Sequence, residues 1–461
     1  MRCSVVIPCH NGKALTRACL ESLLDQQGNH DLEILLVDNA SDDDTASLAD
    51  LDDRIHLVRL STNRGFAGGV NAGLRTARHP FQLILNNDTQ AASNLLDELH
   101  AAMASDHRIG AVAPVSNFVK GPACLGLGDC TRDPELREAV AAELRAVHCP
   151  LQDVDSLAGL CLLLRQNVIE EVGLFDERFG HGNYEDDDYC LRMRLLGYRL
   201  VIARRALLHH EGHATFHALG LDVPAELQKR REQFAAKWLD DPAGRATLAA
   251  ISGQVAVAAD EAREARSRWP RWPDADWHQG RQCLASGDHD GAIRHFEALL
   301  QACPFHTDAA VELAIGRLQA GDLRAAHGQL SWTAENCHVP VATQGLLAGR
   351  IGEHWYSLEQ WDAAAQSFGD ALELRPDDGA LHNWIGSCRL QQGRLEAAID
   401  AFTAAVDLDF PLAHTNLGIC AHRRGDLETA ERQFVLACER LPEDRVAQAN
   451  LAMLRRQLAH A

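Results

Sequence analysis

Through the first part of the chain, short apolar runs alternate with segments of helical spacing. Cys3–Pro8 is apolar throughout. Ala14–Gln26 places Leu15, Ala18, Cys19 and Leu23 on one helical face. Ile34–Asp38 is an apolar strand closed by a carboxylate. Thr45–Leu51 has helical spacing, Ile55–Leu60 reads as a strand, and Phe66–Arg78 as a helix entered through glycines. Gln82–Leu85 is a fourth strand running into Asn86-Asn87-Asp88. Periods that switch between two and 3.6 predict strands alternating with helices, hence a mainly parallel sheet with helices on both faces.

In such sheets ligands sit beyond the carboxyl ends of the strands. Those ends read Pro8-Cys9-His10-Asn11, Asp38-Asn39-Ala40-Ser41, Asn63-Arg64-Gly65-Phe66 and Asn86-Asn87-Asp88-Thr89, and each one is polar. The glycine spacing of a dinucleotide fingerprint is absent, so the predicted pocket is nucleotide-like without being of the NAD type. Further on, Glu185-Asp186-Asp187-Asp188 opens an amphipathic helix, followed by Gly197 and a strand over Tyr198–Ala203. Acids there favour the positive end of the helix dipole, which alone would make them a solvated cap. Adjacent carboxylates also repel one another, which raises the proton affinity of at least one and suits it to act as a general base. Between Asn117 and Asp155 the order is obscure apart from a helix over Asp133–His148, an insertion placed to select an acceptor.

After Trp277 the period changes. Ala292, Ala326, Ala364, Ala398 and Ala430 recur with a large apolar partner (Phe296, Leu330, Phe368, Phe402 and Phe434) at a spacing of about 34 residues. This predicts a helix–turn–helix array in which small residues allow close packing within a unit. The third unit lacks a glycine at its turn, Glu359-Gln360. Glu443–His460 reads as a capping helix with Val446, Leu451, Leu454 and Leu458 turned inward. The expected boundaries are 1–240 for the sheet domain, 241–277 for a helical linker and 278–461 for the array.

Composition narrows the classes. A formal charge of −21 offers no basic surplus for phosphates, so no nucleic-acid partner is expected. The 14 cysteines show no zinc spacing and read as buried thiols in a reducing compartment. With no signal segment before the first strand and no apolar run long enough for a transmembrane segment, the expected location is cytoplasmic.

The ordered segments VVIPCHNG, LLVDNASDDDT, NRGFAGGVNAG, LILNNDT, GLFDERF and EDDDYCLRMRLLGYRLV resemble family 2 glycosyltransferases of the GT-A fold, in particular their bacterial rhamnosyltransferase-like branch. The second half resembles a tetratricopeptide array of about five units. The resemblance implies an α/β nucleotide-diphospho-sugar transferase fold followed by an all-α solenoid. It implies donor contacts from Pro8, His10, Asn11, Asp38, Asn63, Gly65, Asn71, Asn86, Asn87 and Asp88, with a UDP- or dTDP-sugar as donor. The glycines of NRGFAGGVNAG would let backbone approach the sugar diphosphate. Asp88 and His210 would hold Mn2+ or Mg2+, His210 being followed at the family spacing by Thr215, with His209 as the fallback. Asp186 would be the catalytic base of an inverting transfer and Glu185 an acceptor contact, leaving Asp187 and Asp188 to cap the helix. The array would recruit a protein acceptor such as a bacterial surface or flagellar protein. The alternatives are a buttress or homodimer contact, a lipid-linked or polysaccharide acceptor, and a scaffold that has lost activity.

Overall fold

The structure, a computed structural model, describes residues 1–180, 182–212, 223–339 and 341–460; Thr215 lies outside the described residues. Two compact units divide it, one of Met1–Gly316 with Glu335–His338, the other of Arg317–Ala334 with Val339–Ala461. Among the described residues no helix is long and apolar enough to cross a membrane.

The first unit is built on a sheet of strands β1 (Arg2–Cys9), β2 (Asp31–Asp38), β3 (Ile55–Arg59), β4 (Phe81–Leu85), β5 (Thr89–Ala91), β6 (Ile109–Ser116), β7 (Leu151–Val154), β8 (Cys161–Arg165) and β9 (Arg199–His210). Their order is β3-β2-β1-β4-β8-β6-β9-β5, with β7 also paired to β9. β1 to β4 pair in parallel, as the apolar runs predicted. Beyond them the sheet is mixed: β8 runs antiparallel between β4 and β6, while β6 and β9 are parallel. β5 and β7 each lie antiparallel to β9. The last strand extends well past the expected Ala203, to His210.

Helices α1 (Lys13–Leu24), α2 (Gly65–Thr76), α3 (Leu95–Ser105), α4 (Pro134–Leu144), α5 (Gln166–Val172) and α6 (Glu185–Leu195) cover both faces. Alternate residues of β1 show how. Val5 and Ile7 point to a core shared with α1 and α3, and Val6 points to one shared with α2, α5 and α6. A Cβ on Gly73 would stand 2.3 Å from Val6 Cγ1, and one on Gly69 would stand 3.0 Å from Pro8 Cβ. These two glycines therefore let α2 lie close against β1, a packing role in place of the approach to a diphosphate expected of them.

The same unit continues through α7 (Val223–Trp238), α8 (Pro242–Ile251), α9 (Val255–Arg268), α10 (Asp274–Ser286), α11 (His289–Ala302) and most of α12 (Thr307–Gln319). The stretch expected as linker thus holds α8 and α9. Gly280 on α10 sits against the Phe296 ring of α11, where a Cβ would come within 2.7 Å.

The second unit repeats that contact. Its helices are α13 (Leu323–Asn336), α14 (Val341–Ser357), α15 (Trp361–Leu374), α16 (Gly379–Gln391), α17 (Leu395–Asp407), α18 (Leu412–Arg424), α19 (Leu427–Arg440) and α20 (Arg445–His460). Gly352, Gly386 and Gly418 lie under Phe368, Phe402 and Phe434, and Ala364, Ala398 and Ala430 are fully buried. On α20 the inward stripe is Ala447, Leu451 and Leu454. Val446 and Leu458, expected inward, are 56% and 40% exposed. Val446 lies one residue off the stripe. Leu458, a turn beyond Leu454, stays exposed.

The turns follow one rule with one exception. Gly287, Gly321, Gly393 and Gly425 each adopt a φ between +75° and +85°, and in the third unit Glu359 takes that place with φ +60°. A side chain in this region costs about 1–2 kcal/mol. Glu359→Gly is therefore expected to raise stability by about 1 kcal/mol, and Gly386→Ala to lower it by about 1–3 kcal/mol through overpacking against Phe402. Chemical denaturation of both variants checks the opposite signs.

Candidate functional site

At the mouth of β1 and β2, side chains tie the two loops together. Asn11, at φ +60°, accepts from the Asp42 and Asp43 amides at 2.8 and 3.3 Å. Its own amide donates to Ser41 Oγ. His10 Nδ1 lies 3.1 Å from the Asn39 carbonyl. Asp38 is fully buried; its Oδ1 accepts from the Ser41 amide at 2.9 Å. Its Oδ2 has no hydrogen-bond donor, with the exposed Arg59 guanidinium 3.2 Å away as an ion pair. Of these residues Asp38 keeps an acceptor in reserve, and Asn11 spends its oxygen on the loop.

The start of α2 is fastened in the same way. Asn63 Oδ1 accepts from the Gly65 amide, and Gly65 turns the chain with φ +71°. Asn39, which sequence reasoning did not single out, grips this turn: its Oδ1 accepts from Arg64 N and its Nδ2 donates to Gly65 O. Asn71 is 1% exposed and wholly engaged inside the fold. It exchanges hydrogen bonds with the backbone of Phe175 and donates to Glu177 Oε1 at 3.0 Å. Asn71 brackets α2 to the Phe175–Glu177 turn and has no polar atom left for a ligand.

After β4, Asn87 donates to Thr16 Oγ1, while Asn86 keeps a buried Oδ1 without a donor. Asp88 is 6% exposed and its Oδ1 is likewise without a donor. Strand β9 brings His210 to it, because Thr89 and His210 are register partners between β5 and β9. His210 Nε2 stands 3.5 Å from Asp88 Oδ1, while Nδ1 meets the Phe118 carbonyl at 2.8 Å. Burial works against a charged His210, yet Asp88 and the Phe118 carbonyl outweigh it and leave the imidazole above its ordinary range. With Nδ1–H committed to Phe118, a neutral His210 turns a lone pair towards an undonated carboxylate oxygen. Two acceptors facing each other, one nitrogen and one oxygen, fit a divalent cation that completes its shell with substrate oxygens. Among the described residues no group of three or more His, Cys, Asp or Glu side chains converges. His209 faces the other way: it is fully buried against Thr131 Oγ1, 2.8 Å from Nδ1, and burial depresses its affinity for a proton.

The acidic run opens α6 behind two strained residues, Asn183 at φ +72° and Tyr184 at φ +70°. Such conformations persist where surrounding contacts impose them. Glu185 is 5% exposed, and its Oε2 has no donor. Burial and the neighbouring Asp186 hold its carboxyl well above the ordinary range. Asp186 is pushed up to about 6, by burial first and Asp187 second, against the pull of the Gly159 and Asp187 amides. Asp187 accepts from Ser156 Oγ at 2.7 Å. Asp188 is no cap. It is fully buried between Arg192 Nε at 3.0 Å, Trp238 Nε1 at 3.0 Å and Lys237 Nζ at 2.5 Å, and so clamps α6 to α7. Nothing near it in the sequence signals partners that lie some fifty residues downstream.

One short segment joins the two acidic groups. Gly159 N donates to Asp186 Oδ2 at 3.0 Å, and the next carbonyl, Leu160 O, accepts from Asn86 N at 2.9 Å. A Cβ on Gly159 would meet both Asp186 Cβ and the Phe66 ring at 3.4 Å. Asp186, the entry to α2 and the Asn86–Asp88 turn are therefore neighbours across this single turn.

Residues 4–170 match the family described as Glycosyl transferase family 2, and residues 244–307 and 352–409 match the tetratricopeptide repeat. The chain is 29% identical over 224 residues to the O-antigen biosynthesis protein RfbC of Myxococcus xanthus, covering 45% of this chain and 17% of that one. It is 25% identical over 169 residues to a low-salt glycan biosynthesis hexosyltransferase of Haloferax volcanii, covering 35% and 53%. The chain thus spans about half or less of the length of these relatives. Among solved structures, GalNAc-T7 with UDP, GalNAc and Mn2+ aligns at a TM-score of 0.37 with 16% identity, over 45% of this chain and 43% of that one. YrrB, a tetratricopeptide protein with an unusual peptide-binding site, aligns at 0.35 with 17% identity, over 41% and 96%.

Asp188 and Asp187 differ in what their loss should cost. Asp188→Ala leaves Lys237 and Arg192 without their buried counter-charge and is expected to destabilise by about 3–5 kcal/mol. Asp187→Ala removes one exposed hydroxyl contact and is expected to cost about 1 kcal/mol. Thermal unfolding of the two variants checks the ranking.

Proposed function

We propose that this chain, which carries a family 2 glycosyltransferase domain followed by tetratricopeptide repeats, moves a sugar from a nucleoside-diphosphate donor to an acceptor hydroxyl held beside Asp186. The turn that links Asp186 to the Asn86–Asp88 segment through Gly159 and Leu160 carries this reading. Through it Asp186, raised to about 6, is tied by one backbone turn to the segment that carries Asp88, an arrangement that supports a one-step displacement.

In that displacement the acceptor oxygen gives its proton to Asp186 as it bonds to the anomeric carbon. The bond from that carbon to the diphosphate oxygen breaks on the opposite side, so the configuration inverts. Asp38 Oδ2, buried and without a hydrogen-bond donor, is suited to accept from a pyrimidine imide N–H. Asp88 and His210 would hold Mn2+ or Mg2+, which when bound offsets the negative charge gathering on the leaving diphosphate. Glu185, whose burial and neighbour Asp186 raise its affinity for a proton, is suited to contact an acceptor oxygen. Pro8, His10, Asn63 and Gly65 shape the wall of the donor pocket.

The repeats suit recruitment of a protein acceptor, since such arrays present an extended surface. The O-antigen and glycan biosynthesis names of the two relatives favour a second reading, a growing polysaccharide as acceptor. Comparing transfer to a protein fraction with transfer to an oligosaccharide separates them.

Asp186→Asn is expected to lower kcat by about 10²–10⁴-fold with donor binding unchanged. A base works deprotonated, so wild-type kcat should rise with pH through about 6 and then level off. The rise should vanish in the variant. Chelation of divalent ions should abolish turnover, and Asp88→Ala should raise the concentration of Mn2+ needed for half-maximal rate by tenfold or more, on the order expected for a lost ligand.

A further inference from the structure

The repeat region begins inside the transferase unit, and its first members grip the supports of the acidic run. Helix α6 carries Asp186 at one end and Arg194, fully buried, at the other. Arg194 meets Asp274 of α10 through an ion pair and a bond from Nε at 3.3 Å. Its Nη1 points to Cys303 Sγ at 3.4 Å, and its Nη2 donates to Asp155 Oδ1 at 3.3 Å. His306 closes the ring. Its Nδ1 accepts from the Ala309 amide, so Nε2 carries the proton and donates to the same Asp155 oxygen at 3.2 Å. Trp272 Nε1 holds Asp274 Oδ2 in place at 3.0 Å.

Asp155 starts the segment that reaches the acidic run. Ser156 Oγ donates to Asp187, Leu157 shares hydrogen bonds with Cys190 Sγ, and Gly159 N donates to Asp186. Just before it, Asp153 is 2% exposed; its amide donates to the Phe305 carbonyl at 3.1 Å, and the Phe305 amide donates to Asp153 Oδ2 at 2.8 Å. Arg199 doubles this anchor with two bonds to Asp153 and one to Asp106. The 153–159 segment and α6 are thus zipped to each other along their length, and the far end of the zip is closed by Asp274, Cys303 and His306. Arg194 and His306 are buried while Asp155 is half exposed, so the two buried groups depend on this shared carboxylate, and losing a partner leaves a buried charge unmet.

We propose that Arg194, Asp155, Asp274 and His306 are positioning residues for the transfer: the first repeat, through them, sets the 156–160 turn against Asp186. The inference rests on the reading of Asp186 as the base. It makes the α10–α12 segment part of the catalytic unit, separate from any role of the later repeats in recruitment.

The test uses the full chain with His306→Ala and with Asp274→Asn, the second keeping the shape of the side chain. Two readouts are taken: kcat and donor KM, and hydrogen exchange at the amides of 157–160 and 186–190. The expected result is a fall in kcat of about tenfold with donor KM unchanged. Faster exchange confined to those two segments, with the β1–β4 strands still protected, should accompany it. Exchange in 157–160 equal to wild type in both variants overturns the proposal, as does an increase spread evenly over the domain. If the wild-type chain shows no sugar transfer, the proposed reaction fails, while the exchange experiment still decides whether the repeat sets the turn.

Discussion

The hydrogen bond from the Gly159 amide to Asp186 fixes more of this molecule than its size suggests. Gly159 stands just before β8, the antiparallel strand inserted between β4 and β6. Because Leu85 pairs with Cys161, the residue after β4 meets the residue before β8, and Asn86 N finds Leu160 O. The pairing of two central strands therefore sets the separation between the Asn86–Asp88 turn and the acidic run. No side-chain choice at either acid could do this alone. A carboxylate raised by burial can be kept only where backbone donors still reach it, and the turn provides one of those donors.

Around that turn the fold places charge sparingly. Asp38 Oδ2, Asp88 Oδ1, Asn86 Oδ1 and Glu185 Oε2 are buried oxygens without hydrogen-bond donors. Each is costly in an apolar setting unless a partner reaches it, as the Arg59 guanidinium does at Asp38. Asp188 and Arg194 show the contrasting solution, buried charges met on several sides by Lys237, Trp238 and Arg192 in one case and by Asp274, Asp155 and Cys303 in the other.

Much of this was legible in the sequence. The apolar runs gave the parallel half of the sheet, and the polar strand ends marked its ligand edge. Motif order singles out Asp88 and His210, and the fold sets Asp88 Oδ1 and His210 Nε2 3.5 Å apart. Parity along β9 turns His210 to Asp88 and the fallback His209 the other way. The misreadings share one cause. Asn71, Gly69 and Gly73 have the right chemistry for a ligand, yet the side-chain atoms of the first and the missing Cβ of the others meet neighbours distant in sequence, and Asn11 spends its Oδ1 on the loop after β2. Asp188 reads as a cap from sequence because Lys237 and Trp238 lie far downstream. In the array, Glu359 showed as a missing glycine, and the structure supplies the physical meaning in its positive φ.

On the proposed reading the Asp88–His210 pair and Asp186 flank one site across the Gly159–Leu160 turn. Paramagnetic broadening reads this directly. With Mn2+ and a nucleoside diphosphate bound, amide signals of Asn86, His210, Gly159 and Leu160 should broaden together and recover when Mg2+ replaces Mn2+. Broadening that reaches Asn86 and His210 but leaves Gly159 and Leu160 sharp would contradict it.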